Sequence, residues 1–225
     1  MTRISAVERR AALARAALTV VARDGIQAAT TRAIVAEAGM PLSSFHYAVS
    51  SRDELLRDVV ELVVAEEGNA ALTSLLGEAS DARQAIRLAL VAYLDLVRAD
   101  PGREQAMFEL TQYALRTASL NDLPADQYGR YHGVAEALLS AGAHRLGIRW
   151  TVAPTDLARL LVAMTDGITL AWLATRDDEA AERAMDLATD ALLVFVDPAS
   201  ASPASASPSA SQSATSEPIP AQENA

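Results

Sequence analysis

The chain has 225 residues, 51% hydrophobic and 4% aromatic, with no cysteine and a formal net charge of −10. That length holds one medium domain or two small ones. Without Cys there is no disulfide scaffold, thiolate zinc site or cysteine nucleophile, and the acidic balance argues against a protein that coats nucleic acid over its whole surface.

Ala, Leu and Val dominate, and long stretches lack Pro and Gly. No period-two alternation bounded by turn residues occurs, which predicts an all-α chain. The start carries no apolar segment with a cleavage site and no run approaches about 18 apolar residues, so neither a signal peptide nor a membrane span is expected, and the location is expected to be cytoplasmic. Charge is unevenly spread. Residues 1–52 hold seven Arg against Glu8, Asp24 and Glu37, a formal +4, so the remainder carries −14. A basic module on an acidic body suits a protein that touches DNA with one end.

Residues 1–5 read as a disordered arm. Helix 1 is predicted over 6–23, burying Ala11, Leu13, Ala14, Ala17, Leu18 and Val21 and ending at Gly25. Residues 31–56, TRAIVAEAGMPLSSFHYAVSSRDELL, read as two short helices about a tight turn, then a third helix start. Thr30 or Thr31 can cap the first. Ile34, Val35 and Ala38 share one face, and Gly39 suits the left-handed exit. Pro41 opens the second helix, and Phe45 and Val49 give it an apolar face. This is the packing pattern of a helix-turn-helix, whose second helix enters the DNA major groove; a helical hairpin in a bundle shares the bare pattern.

Helix 4, capped by Ser51, is predicted to about Leu76 with Gly68 as a weak point, and helix 5 from Asp81 to about Ala99. Helix 6 is predicted over about 103–118, a loop over 119–124 and helix 7 over about 125–146. Helix 8 runs over about 154–175 and helix 9 from Asp177 to the Asp197-Pro198 stop. Leu157, Leu160, Leu161, Met164, Ile168 and Trp172 on helix 8, and Met185, Leu187, Ala188, Leu192, Phe195 and Val196 on helix 9, make wide apolar faces. Residues 198–225 are Ala/Ser/Pro-rich and expected to be disordered.

The segment 7–60 resembles the DNA-binding domain of the tetracycline-repressor (TetR) family. The elements that carry the resemblance occur in order: a first helix ending in Asp24-Gly25, then Thr31, the Ala38-Gly39 turn, the aromatic Phe45–Tyr47 helix and Ser51-Arg52 before Leu55-Leu56. Departures are Val35 for Ala, His46 for Tyr, Val49 for Phe, Arg52 for Lys, and Leu42 where a polar or basic residue is common. They leave base specificity unassigned. The resemblance implies a helix-turn-helix domain over 1–50, a ligand-binding and dimerisation domain over 51–197, a tail over 198–225, and about nine helices. It further implies a homodimer through the two C-terminal helices, helix 4 as the link to the body, and a small-molecule cavity among helices 4 to 8.

Arg32, Ser44, His46, Tyr47 and Arg52 have side chains that can donate to phosphate. By resemblance Tyr47 and Arg52 clamp the backbone and residues 41–44 face base edges, with Leu42 against a thymine methyl and Ser43 hydrogen-bonding a base; His46 can equally pack on helix 1. In the body, Tyr93, Phe108, Gln112, Tyr113, Arg116, His132 and Trp172 are effector-site candidates, for a hydrophobic or aromatic ligand. No nucleophile elbow, phosphate-binding Gly-rich loop or Glu-x-x-His pair occurs, so no enzyme activity, metal or cofactor is expected. The expectation is a dimeric transcriptional regulator, a repressor, on a pseudo-palindromic operator. A helical sensor or protein-interaction module with the same fold is the alternative.

Overall fold

The computed structural model describes residues 5–75 and 79–201. The expected N-terminal arm lies outside them but for Ser5, and so does most of the expected disordered tail. The described residues form helices α1 (Ala6–Asp24), α2 (Thr31–Glu37), α3 (Leu42–Ala48), α4 (Arg52–Leu75), α5 (Ala82–Ala99), α6 (Pro101–Ala114), α7 (Leu123–Leu146), α8 (Pro154–Thr175) and α9 (Asp178–Leu193). A 3-10 turn, Ala118–Leu120, precedes α7, and Pro198–Ala201 add one helical turn.

Local chemistry sets most boundaries. Ser5 and Glu8 cap α1 reciprocally, Ser5 Oγ accepting from the Glu8 amide at 3.1 Å and Glu8 from the Ser5 amide at 2.7 Å. Thr30, not Thr31, caps α2, accepting from the Ala33 amide at 3.2 Å. Gly39 turns the chain at φ +64°, and Pro41 sits at the N-cap of α3 rather than inside it. Helix α6 begins at Pro101, earlier than expected. Asp100 accepts from the Arg103 amide at 3.0 Å, and proline at the first position lacks only an N–H the helix does not use. The sequence Asp-Pro-Gly thus starts α6 immediately after α5 ends.

The domain boundary expected at residue 50 is not a break in packing. One apolar cluster joins Leu13, Val20, Ile34 and Phe45 to Leu55, Val59 and Val63 of α4 and to Met107 and Leu110 of α6. A second joins α5, α8 and α9 around Leu94, Trp172 and Met185, and a third joins α7, α8 and α9 around Leu139, Leu157 and Leu192. Gly68 does not interrupt α4. It lets α4 approach α7, since a Cβ there would lie 3.1 Å from Val134 Cγ1. Ion pairs fasten α5 along α9: Arg83 to Asp190, Arg87 to Asp186 at 2.7 Å, and Arg98 to Asp178 and Glu182 at 2.9 and 3.0 Å.

Among the described helices, α8 is the one that is both long and strongly apolar. Its 22 residues reach a mean hydropathy of 1.4 in an 18-residue window, long and apolar enough by length and composition to cross a membrane, and only 28% of that window is buried. The face left uncovered continues onto α9, where Leu187, on the wide apolar face expected of that helix, is 70% exposed.

Candidate nucleic-acid interface and internal cavity

Helix α3 is held from below by Phe45 and Val49, both buried. Helical geometry then turns Leu42, Ser43, His46 and Tyr47 outward, since 42 and 46, and 43 and 47, stack one turn apart. All four are exposed, Tyr47 to 80%, and Ser44 is half-buried at the edge. His46 stands edge-on to Phe45 at 5.8 Å with its own ring exposed, so it does not pack into α1. Arg32 is exposed on α2. Leu42, Ser43, His46 and Tyr47 form one polar and apolar outer face of α3.

Arg52 is the exception. Its Nε donates to the Ala29 carbonyl at 2.7 Å, one Nη to the Ile26 carbonyl at 2.5 Å and the other to Tyr113 Oη at 3.3 Å. The guanidinium also lies 5.5 Å from the centre of the Tyr113 ring. It caps the loop between α1 and α2 from inside, which turns Nε and one N–H of each terminal nitrogen away from the expected phosphate clamp. Arg10 is likewise bound to Asp58 and Glu54, and Arg23 to Asp24 and Glu37. The formal +4 of residues 1–52 therefore overstates the charge facing outward.

Among α4–α8, with one contact from α9, lies a cavity of about 170 Å³. Aliphatic and aromatic side chains dominate its lining, with Glu104, Thr111, Gln127, Thr165 and Asp166 as the principal polar groups. Gln127 is buried and accepts from Thr111 Oγ1 at 2.9 Å. Tyr128 donates to Asp166 Oδ2 at 2.6 Å. Burial and the neighbouring carboxylate push the Tyr128 hydroxyl up to about 12, and burial also lifts the Asp166 carboxyl above its ordinary range, against the opposing effects of that hydrogen bond and of His132.

Of the seven effector-site candidates only Tyr93 and Phe108 line this cavity. Gln112 and Arg116 are exposed, because they fall on the outer side of α6 and its end. Tyr113 faces Arg52. His132 packs beside Tyr128, 6.1 Å between ring centres, outside the lining. Trp172 lies on the α8–α9 side, donating to Asp178 at 2.8 Å beneath Arg176. Sequence reasoning missed Thr111, Gln127, Tyr128, Tyr131, Trp150 and Asp166. An acid at 166 within so apolar a helix was the available signal.

Helix α6 serves both places. Glu104, Met107, Phe108 and Thr111 line the cavity. On another face, Glu109 Oε1 accepts the Ile26 amide at 2.9 Å and Tyr113 meets Arg52. Gly25 is required there, at φ +84° with Glu109 Oε1 3.3 Å from where its Cβ would be. Further along, Arg57 of α4 pairs with Asp122 at 2.6 Å, which holds the Asp122 carboxyl below its ordinary range.

Comparison with known proteins adds the following. A model of the C-terminal domain of BetI-type transcriptional repressors matches residues 82–196. The HTH-type nicotine-responsive transcriptional repressor HdnoR of Paenarthrobacter nicotinovorans is 30% identical over 195 residues, covering 85% of this chain and 97% of that protein. A TetR-family transcriptional regulator from Rhodococcus sp. has a TM-score of 0.71 at 19% identity, covering 85% of this chain and 100% of that one, a likeness of fold alone. The multidrug binding protein EbrR, solved with imidazole, has a TM-score of 0.59 at 26% identity, covering 82% and 94%.

Proposed function

We propose, from the premise that this chain belongs to the TetR family of DNA-binding transcriptional regulators, that it acts as a homodimeric repressor whose hold on a pseudo-palindromic operator is released by a small molecule in the cavity. The observation that carries this reading is the double use of α6. One helix both walls the cavity and holds the loop that seats α2. A ligand that displaces Met107 or Phe108 must move Glu109 and Tyr113 with them, because a packed helix shifts as a unit. The coupling then runs through α6 as well as through α4, the link that the family resemblance implies.

DNA contact is assigned to Arg32, Leu42, Ser43, Ser44, His46 and Tyr47, with Tyr47 on the phosphate backbone and Leu42 and Ser43 toward base edges. Dimerisation is assigned to α8 and α9. Leu170, Leu187 and Val194 are 57%, 70% and 76% exposed, and covering a large apolar side chain is worth roughly 1.5–3 kcal/mol. HdnoR is nicotine-responsive and EbrR was solved with imidazole. Both compounds are nitrogen heterocycles, and a ring compound of that kind suits a cavity walled by Tyr93, Phe108 and Trp150.

The dimer is tested by Leu187→Glu. A charge on the shared face should yield monomers in sedimentation and weaken operator binding by about a hundredfold or more, since one half-site alone then holds the protein. A Leu187→Glu protein that stays dimeric would place the interface elsewhere.

A further inference from the structure

The cavity holds a carboxylate that a purely apolar effector would not use. Asp166 lines it from the middle of α8, fixed by the Tyr128 hydroxyl at 2.6 Å. Glu104 of α6 lines it too and is 5% exposed, with Arg103 Nε 3.5 Å from its Oε1. No Arg or His is among the described residues that line the cavity; His132 attracts Asp166 from outside that lining. The same lining carries aromatic rings, Tyr93, Tyr128, Tyr131 and Trp150, with Tyr128 against the acid and Tyr128 and Tyr131 edge to face at 6.0 Å.

A carboxylate in apolar surroundings costs free energy unless donors or a cation compensate it. Here one hydroxyl and a His outside the lining supply part of that compensation. A neutral ligand filling the cavity would strip the remaining water from Asp166 and supply nothing in exchange. A ligand with one positive charge would add the counter-charge, and its cationic group would also be attracted by the tyrosine and tryptophan faces. We propose that the cavity takes a monovalent organic cation, a protonated or quaternary amine on an apolar or aromatic frame, with Asp166 as its counter-ion and Tyr128 as the residue that orients Asp166. This rests on reading the cavity as the effector site and adds the charge of the effector to it.

Calorimetric titration of the full chain with benzyltrimethylammonium and with neopentylbenzene, its neutral carbon isostere, separates charge from shape. The cation is expected to bind about tenfold or more tighter than the isostere, and Asp166→Asn to remove about tenfold or more of the cation's affinity while leaving the isostere within about twofold. Glu104→Gln should leave the cation within about threefold, because Glu104 already has Arg103. Equal binding of the two probes by the wild-type protein overturns the proposal, as does binding of neither. So does unchanged cation binding by an Asp166→Asn protein with a wild-type melting profile, or a loss confined to Glu104→Gln. Displacement of a bound operator duplex is read alongside. Release by the isostere but not the cation would keep the effector-site reading and sink the cation; cation binding that leaves DNA bound would do the reverse.

Discussion

Arg52 illustrates how the role of a side chain depends on which acceptors lie within its reach. The family resemblance implies a phosphate contact at the start of α4, yet the Ile26 and Ala29 carbonyls lie within hydrogen-bond reach of Arg52 and take its N–H groups. Hydrogen bonds to a charged group are worth about 1.5–3 kcal/mol each, so Arg52→Ala should lower the melting temperature clearly. Its effect on DNA binding should follow from the loosened α1–α2 loop and leave the salt slope near wild type. Arg32→Ala should do the opposite, sparing stability and reducing the salt slope by about one unit. Melting curves and affinities at several salt concentrations distinguish the two, and a reduced slope for Arg52→Ala with unchanged stability would restore the phosphate contact. Asp166 carries a prediction about pH. Its folded carboxyl stands above the ordinary value of 3.8. Its contribution to stability is therefore most favourable at low pH and is lost as pH rises through the folded value. Cation binding has the opposite sign, since only the ionised form serves. Affinity for benzyltrimethylammonium should fall on acidification, beginning above pH 3.8, and Asp166→Asn should flatten the profile. Tyr128, His132 and Glu104 are the titratable neighbours to control for.

At the scale of elements, the helix-turn-helix was legible because its signals are local. Thr30, Gly39 and Pro41 each act within one turn of themselves, Phe45 marks the buried side of α3, and the structure uses all four. Truncating Phe45, 2% exposed, to Ala should cost roughly 3–5 kcal/mol by denaturant unfolding and take DNA binding with it; a loss under about 1 kcal/mol would mean α3 is seated by something else. Helix α6 was less legible. Periodicity names the apolar positions of a helix but not which neighbour each face meets. Gln112, Tyr113 and Arg116 were therefore grouped with Phe108, though only Phe108 reaches the cavity. The same limit hid Gln127 and Tyr128, which point inward from a stretch read as a helix start. If α6 transmits the effector signal, Glu109→Gln should leave effector affinity within about threefold and weaken the linkage, so that saturating effector shifts operator affinity less than in wild type. An unchanged shift would assign transmission to α4 alone.

Over the whole molecule, the all-α architecture and nearly every helix could be read from composition and Pro/Gly punctuation. The continuous core from α1 to α6 could not, because it depends on α6, distant in sequence, packing back onto α1. The wide apolar faces of α8 and α9 were legible, and their exposure in one chain, with Leu187 and Val194 largely uncovered, makes a second copy the natural cover. The proposed two-fold dimer would present two α3 helices to a symmetric operator. The measurement that tests this most directly is selection of bound duplexes from a random pool by the purified, effector-free protein, with affinity then followed against salt. The account predicts a two-fold symmetric consensus with half-sites about one helical turn or a multiple apart, and affinity that falls steeply as salt rises. No enrichment by a folded, dimeric protein at low salt would contradict it.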